Sequence, residues 1–521
     1  MLRELLAAWH GNEMSLGVVL SIWLLAGGLG AWFYGAASRL RRAGAPDAGE
    51  APSAARLSGT LLILGALAPT TVFAARAARG AMGLQATELV GFLPLIAATI
   101  VSVLPFAALA GFQFSMATAL LTSLCGRSGE AAGRIYVAEA VGAAAAGLLL
   151  SLVLLEATNP VAIALLVTVL CSCAAAGVTV SRVANSEGRP RRPLAAQGGL
   201  AACALLIAVT GSGTLDRLSV EARWRELGYV AHANSKYGRV VATRTGSQMS
   251  IYASGVLAAS SPDRLAAEET VHLPLLQHPH PERVLLLGGG LGGATGEILK
   301  HPSVRVVDYV ELDPEIVRFA RTTFGLPMVE GLDDPRVRVH FGDARFFIKR
   351  SHEAYDVVIL GVPDPETAQL NRFYTAESMR EIGRLLSKLG VVGLSVSSTE
   401  NYIAEEQAEL LACLSATARV AFPAVVMLPG DPCHIIASHS TDFLTRDPDV
   451  LTQRIRDRAL DVAYVREYYL RDRLSPERSL ELDRALDRAR PRINEDLTPV
   501  CYYLNLVLWQ RQFGGGAPVL A

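Results

Sequence analysis

The sequence predicts two parts of different class. The first is an N-terminal bundle of transmembrane α-helices, and the second is a Rossmann-like α/β domain preceded by a small β unit. Three observations predict this. Apolar runs of near-spanning length recur through the first 212 residues. Charged residues are sparse before Asp216 and dense after it. From Arg283 onward, short apolar strands alternate with helical segments, a pattern that implies a parallel sheet covered on both faces. The boundaries read as 1–213 for the helical part, 214–275 for the β-rich unit and a linking helix, 276–446 for the α/β domain and 447–521 for a helical extension.

With 521 residues, 51% of them hydrophobic, the chain is too long for one compact domain and more apolar than a soluble norm. The net charge of −1 offers no electrostatic footprint for nucleic acid. Seven cysteines show no zinc-type spacing with histidine, so no metal is expected, and Cys171, Cys173 and Cys203 read as reduced, buried thiols.

Seven apolar segments are expected, at 14–35, 57–78, 88–110, 111–125, 131–156, 159–183 and 194–212, the fourth short enough to be re-entrant or continuous with the third. The first is too long for a signal peptide and lacks a cleavage site. Ala26 and Gly30, and then Gly27 and Ala31, have the small-xxx-small spacing that lets helices approach closely, as does Gly142 to Gly147. Glu139 stands inside an apolar segment; it is either functional or interfacial and paired, with Arg134 or a backbone group. Arginines crowd 36–56 and 182–193, which the positive-inside rule sets on the cytoplasmic side. Seven spans would put these two loops on opposite sides. Six would put them together, with the globular part exported.

After Tyr229, "YGRVVATRT", "QMSIYAS" and "GVLAASS" alternate and are separated by turn signals at Thr245-Gly246-Ser247 and Ser254-Gly255. "AAEETVHLPLLQH" then reads as a helix. "RVLLLGG" is a strand that runs into a glycine turn and the helix "GGATGEILKHP". The strands "VRVVDYVEL", "RVRVHFGDA", "YDVVILG" and "VVGLSVSS" follow, each with a helix between, the last helix ending at Gly390. Gly288, Gly290 and Gly293 satisfy G-x-G-x-x-G between strand and helix, where missing side chains let backbone amides approach a ligand. Glu311 ends the next strand about 20 residues on, the place of a ribose-binding acid. Asp343 ends the following strand and can accept from an exocyclic adenine amine. Asp364 follows the next, in "GVPDPE".

From about Ser235 to Ser398 the chain resembles the spermidine synthase family, the polyamine aminopropyltransferases, and within it the membrane-fused bacterial subgroup. The resemblance rests on "SKYGR", "GGGLGG", "YVELDPEIV", "DPRVRVHFGDA", "YDVVILGVPDP" and "LNRFYTAESM", and on the tail "PRINEDLTPVCYYLNLVLW". It implies a fold of the class I adenosylmethionine-dependent transferase type. It also implies decarboxylated S-adenosylmethionine as co-substrate and transfer of its aminopropyl group to a small-molecule amine. By the same resemblance Gly288, Gly289, Gly290, Gly292 and Glu311 take the nucleoside ribose and tail, and Asp343 and Ala344 the adenine. Asp364 becomes the catalytic residue beside the amine, and His272, Tyr237 and Tyr374 line the substrate side, with His272 equally readable as a satisfied helix histidine. The β-rich region 229–260 resembles the family's dimerising region, which implies a homodimer. A cytosolic supply of co-substrate implies a multi-pass cell-membrane protein with its globular part in the cytoplasm.

The departures are specific. Leu291 stands where the family turn has an Asp that holds the aminopropyl ammonium. Gly361 stands where "DSSDP" has the Asp that takes the proton from the attacking amine. Gly238 replaces an adenosyl-binding Gln, and "VHL", Val271 to Leu273, replaces "YHE". An ammonium must lose a proton before it attacks, so losing two acids weakens ordinary diamine chemistry, leaving Asp364, with Glu268, Tyr237 or Tyr374, to serve as base. Two other readings stay open: a non-catalytic nucleoside-binding domain coupled to a membrane transport module, or another adenosylmethionine-dependent transfer, such as methylation of a less cationic acceptor. In the extension, mixed charges over 447–490 suggest exposed helices. "LTPVCYYLNLVLWQRQF" is too short to span and is expected against the bilayer or the helical part.

Overall fold

The computed structural model describes residues 2–9, 11, 13–44, 54–88, 90–184, 191–400 and 402–513. They form two compact units: 1–241 with 254–256, and 242–253 with 257–521.

In the first unit, six helices are long and apolar enough to cross a membrane: 13–40, 54–81, 92–125, 128–157, 160–181 and 193–227. The seven-segment expectation is corrected here, because 92–125 is one helix, Phe92–Cys125, running straight through Pro105. Helices Glu13–Gly44 and Phe92–Cys125 cross where side chains are smallest. A Cβ on Gly30 would lie 1.8 Å from the carbonyl oxygen of Ala108, and one on Gly111 would lie 1.9 Å from that of Gly27. Close backbone approach of this kind is what small-xxx-small spacing provides. Gly142 and Gly147 have nothing near them. Glu139 is exposed, and Arg134 pairs with Glu130 instead. Cys171, Cys173 and Cys203 are free thiols, Cys171 half-buried and Cys173 and Cys203 on the outer faces of apolar helices.

Arg76 bridges Glu4 (2.6 Å) and Asp216 (2.7 Å), and Arg239 reaches the other oxygen of Glu4 at 2.6 Å. His232 and Asn234 also bond to Asp216. Every charge in this buried cluster has an opposite partner, the condition under which buried charges are tolerated. Burial works to raise the Glu4 pKa, but Arg239 and Arg76 outweigh it and hold the group at about 2.

Strands β1 (Tyr229–Asn234), β2 (Arg239–Thr245), β3 (Gln248–Ala253) and β4 (Val256–Ser261) follow in sequence order in one sheet. The two-residue turns 246–247 and 254–255 have positive φ at Gly246, Ser254 and Gly255, as tight hairpins require. Strand β1 adds a fourth member to the three expected.

The second unit is built on a seven-stranded sheet. Its strands are β5 (Arg283–Leu287), β6 (Val306–Glu311), β7 (Val337–Phe341), β8 (Tyr355–Leu360), β9 (Leu386–Val396), β10 (Ala424–Leu428) and β11 (Cys433–Ser438), in the order β10-β11-β9-β8-β5-β6-β7. From β9 to β7 the strands are parallel, and β11 and β10 run antiparallel at one side. Val284 to Leu287 are fully buried, which explains their unbroken apolar run: both faces of a central parallel strand are covered. Chain order reverses between β5 and β8, so a crevice opens there at the carboxyl ends of the strands.

Two expectations are corrected. Gly390 lies inside β9, which starts at Leu386, and the preceding helix is the shorter Ala376–Gly383. Helix Val500–Phe513 packs Cys501 and Leu504 into the main core of this unit beside Leu410 and Leu414, and Arg511 pairs with Glu406. Its apolar face is spent on the α/β core.

Candidate functional site

The glycine turn leaves β5 at the crevice. Gly288, Gly289, Gly292 and Gly293 all have positive φ, between 66° and 107°, a region costly to residues with a Cβ. Close packing adds a second reason for glycine. A Cβ on Gly290 would meet the Tyr309 ring at 2.6 Å, one on Gly289 the Gly361 carbonyl oxygen at 2.7 Å, and one on Gly292 the Ser260 carbonyl oxygen at 2.6 Å. The turn is therefore clamped between β6, β4 and the loop after β8, which fixes where its amides point. Gly361 has its own constraint: a Cβ there would lie 2.6 Å from the Gly288 carbonyl oxygen. The backbone as folded crowds any side chain at the position where the family resemblance would have an acid.

These elements frame a cleft of about 510 Å3, lined by Gly288 to Gly292, Glu311, Leu312, Gly342, Ala344 and Gly361 among others. Glu311 accepts from the Tyr309 hydroxyl at 2.7 Å and the Asp313 amide at 3.2 Å. A carboxylate has about four lone-pair sites, so acceptor capacity remains toward the cleft. Burial raises the Glu311 pKa, only partly offset by Tyr309 and the Asp313 and Leu312 amides.

The other expected site residues divide. Asp343 caps helix Ala344–Arg350 through the Phe346 amide (3.0 Å) and is ion-paired to Arg372. Its neighbours Gly342 and Ala344 line the cleft, while its own side chain lines a separate cavity behind β7. Burial works to raise the Asp343 pKa, but Arg372 and the amides lower it. Asp364 is half-buried just past Pro363, and both its oxygens accept from the Ser397 amide, at 3.1 and 3.2 Å. Burial raises its pKa against those hydrogen bonds. Tyr374 is fully buried and donates to the carbonyls of Val362 and Pro363, so it holds the loop that carries Asp364.

His272 does not reach the cleft. It is fully buried, with Nε2 at 3.1 Å from Glu297 and Nδ1 at 2.9 Å from His301, which in turn meets Arg458. His272 is thus a satisfied helix histidine, outside the lining of the cleft. Glu268 is likewise taken: its carboxylate accepts from the amides of Ala463, Tyr464 and Val465. Tyr237 is in the first unit and exposed.

The sequence reading missed three residues. Tyr309 floors the turn beneath Gly290 and buttresses Glu311. Arg372 lines the cleft while neutralising Asp343. Asp263, the N-cap of helix Arg264–Gln277, lines the cleft from the opposite wall. Its signal was present: an Asp before a helical pattern is a capping residue. Among the described residues no group of three metal-ligating side chains converges.

A parallel sheet with a clamped glycine turn at its switch point and an acid at the tip of the next strand defines a Rossmann-like α/β domain. Residues 264–442 match the family model "Spermine/spermidine synthase domain", so that segment is similar to the spermidine synthase family. Over 274 residues it is 34% identical to polyamine aminopropyltransferase 1 of Streptomyces coelicolor, covering 50% of this chain and 51% of that one. Over 153 residues it is 36% identical to the polyamine aminopropyltransferase of Bacillus subtilis, covering 29% and 53%. The chain thus spans about half the length of these curated relatives. A solved spermidine synthase from Thermotoga maritima aligns at 19% identity and a TM-score of 0.41, over 50% of this chain and 88% of that one.

Proposed function

We propose that the second unit binds an S-adenosylmethionine-type nucleoside, expected to be decarboxylated S-adenosylmethionine, and transfers its aminopropyl group to an amine. The observation that carries this is the cleft itself. A glycine turn, Glu311 with free lone pairs, and the Gly342–Ala344 corner meet at the switch point of a domain matched to the spermine/spermidine synthase model. Glu311 would accept from the ribose hydroxyls. Leu312 and Ile316 offer the base an apolar side, and Gly342 and Ala344 a close one. The co-substrate, when bound, supplies an electrophilic carbon on a sulfonium. Asp364 is proposed to take the proton of the attacking amine, a role its raised pKa favours.

The test is release of methylthioadenosine from decarboxylated S-adenosylmethionine by the full chain with a panel of amines. Release that needs an amine supports the reading, and binding without release supports a non-catalytic nucleoside domain instead. Preference for S-adenosylmethionine itself supports a different transfer. An Asp364→Asn variant with unchanged turnover would exclude Asp364 as base. A homodimer, by analogy with the family, belongs to the same proposal.

The proposal also takes the six apolar helices to cross a membrane. The cytoplasmic side for the globular part rests on co-substrate supply. The helix count works against it, since six crossings set the arginine-rich stretches 36–56 and 182–193 on one face and the chain after the last crossing on the other. Digestion of residues after Asp216 from outside sealed spheroplasts would refute the cytoplasmic side.

A further inference from the structure

The wall opposite Glu311 differs in character from the wall that would hold the nucleoside. It carries Leu257, Ala258 and Ala259 of β4, Ala266 and Ala267 of helix Arg264–Gln277, and Leu291 at the tip of the turn, with Ser260, Asp263 and Thr270 among them. Among the described residues three charged ones line the cleft, Asp263, Glu311 and Arg372, and the proposed base Asp364 directly follows the lining Pro363. Arg372 is neutralised by Asp343. Glu311 is committed to the ribose in the reading above. Asp263 remains, with a single hydrogen bond at 3.3 Å from the Ala266 amide.

Charge counting then restricts the acceptor. An aminopropyl donor brings one ammonium besides its sulfonium, and the charge on sulfur is lost when the carbon–sulfur bond breaks. A diamine acceptor brings two more, of which one loses its proton to attack. Two ammonium groups would remain for one uncommitted lining carboxylate, and the surplus cation would be left with neutral groups such as Ser260, Thr270 and the alanines. Burying an unpaired ammonium costs several kcal/mol. Restoring an acid at position 361 is barred by the 2.6 Å approach to Gly288.

We infer that the acceptor is a lipophilic monoamine: one amino group on an uncharged, apolar body that packs against Leu291 and the alanine wall, with Asp263 balancing the aminopropyl ammonium. The inference rests on the aminopropyl-transfer reading and narrows its substrate class. The nitrogen lone pair of the amine forms a bond to the terminal aminopropyl carbon. The carbon–sulfur bond breaks with its electron pair moving to sulfur, so the sulfonium becomes the neutral thioether methylthioadenosine. The proton lost from nitrogen passes to Asp364.

The experiment compares n-hexylamine and n-octylamine with putrescine, reading methylthioadenosine release by the full chain. The expected result is a kcat/KM for octylamine at least about tenfold above that for putrescine, which corresponds to about 1.4 kcal/mol. In Leu291→Asp the ratio should fall toward one, and Leu291→Ser serves if the acidic variant does not fold. Asp263→Asn should raise the KM for the sulfonium donor while leaving the KM for octylamine within about twofold. Putrescine turned over as well as octylamine overturns this inference and leaves the transfer reading standing. No release with any amine, while the donor still binds, overturns both.

Discussion

Replacing Glu4 by Gln tests the charge cluster that ties the N-terminal helix Leu2–Ala8 to Arg76 and Arg239. Glu4 is 2% exposed and meets both guanidinium groups at 2.6 Å. Removing one member of a buried ion pair typically costs about 3–5 kcal/mol. Arg76 keeps Asp216 at 2.7 Å, so the lower end of that range applies. A second route gives a similar size. Against burial, Arg239 and Arg76 depress the Glu4 pKa from 4.5 to about 2, and that shift is linked to about 3 kcal/mol of stability. The sign follows from the depression: the contribution is fully present above pH 4.5 and is lost as pH falls toward 2. Chemical denaturation of the full chain in detergent micelles, wild type against Glu4→Gln, reads this directly. The gap should be about 3 kcal/mol at neutral pH and should close across that acid window. Equal stability at pH 7, or a gap that does not shrink on acidification, would refute the reasoning.

Glu311→Gln should weaken adenosyl binding about 30-fold, since trading a charged for a neutral acceptor costs about 1 kcal/mol for each of two ribose hydroxyls. Calorimetry checks it. Wild-type affinity should also fall on acidification at a higher pH than for an ordinary glutamate, because burial raises this carboxyl, and the Gln variant should lose that dependence. Gly290→Ala places a Cβ 2.6 Å from the Tyr309 ring and should destabilise the second unit by about 1–3 kcal/mol through overpacking, read as a lowered unfolding midpoint.

The sheet was legible because alternation of apolar strands and helices is a strong signal, and the glycine turn because four of its residues need positive φ. Glu311 was picked out for its place at a strand end, and it does end β6 and line the cleft. His272 was set near the substrate by resemblance alone, which aligns a position in the chain and not the direction of its side chain. In Arg264–Gln277 the whole stretch from Val271 to Gln277 is buried, and the histidine points at Glu297 and His301. The terminal helix was misread because an apolar stripe looks alike whether it meets lipid or a protein core. Gly361 illustrates the opposite case. The missing acid was visible in the sequence, but the close approach of the Gly288 carbonyl oxygen, 2.6 Å from where a Cβ at 361 would lie, appears only in the fold.

The central claim is that the cleft above Gly288 to Gly292 holds an adenosyl group through Glu311. Titrating the full chain with methylthioadenosine in a calorimeter tests it most directly. Saturable heat at one site per chain, weakened in Glu311→Gln, is the predicted result; no heat from methylthioadenosine, S-adenosylmethionine or its decarboxylated form would contradict it.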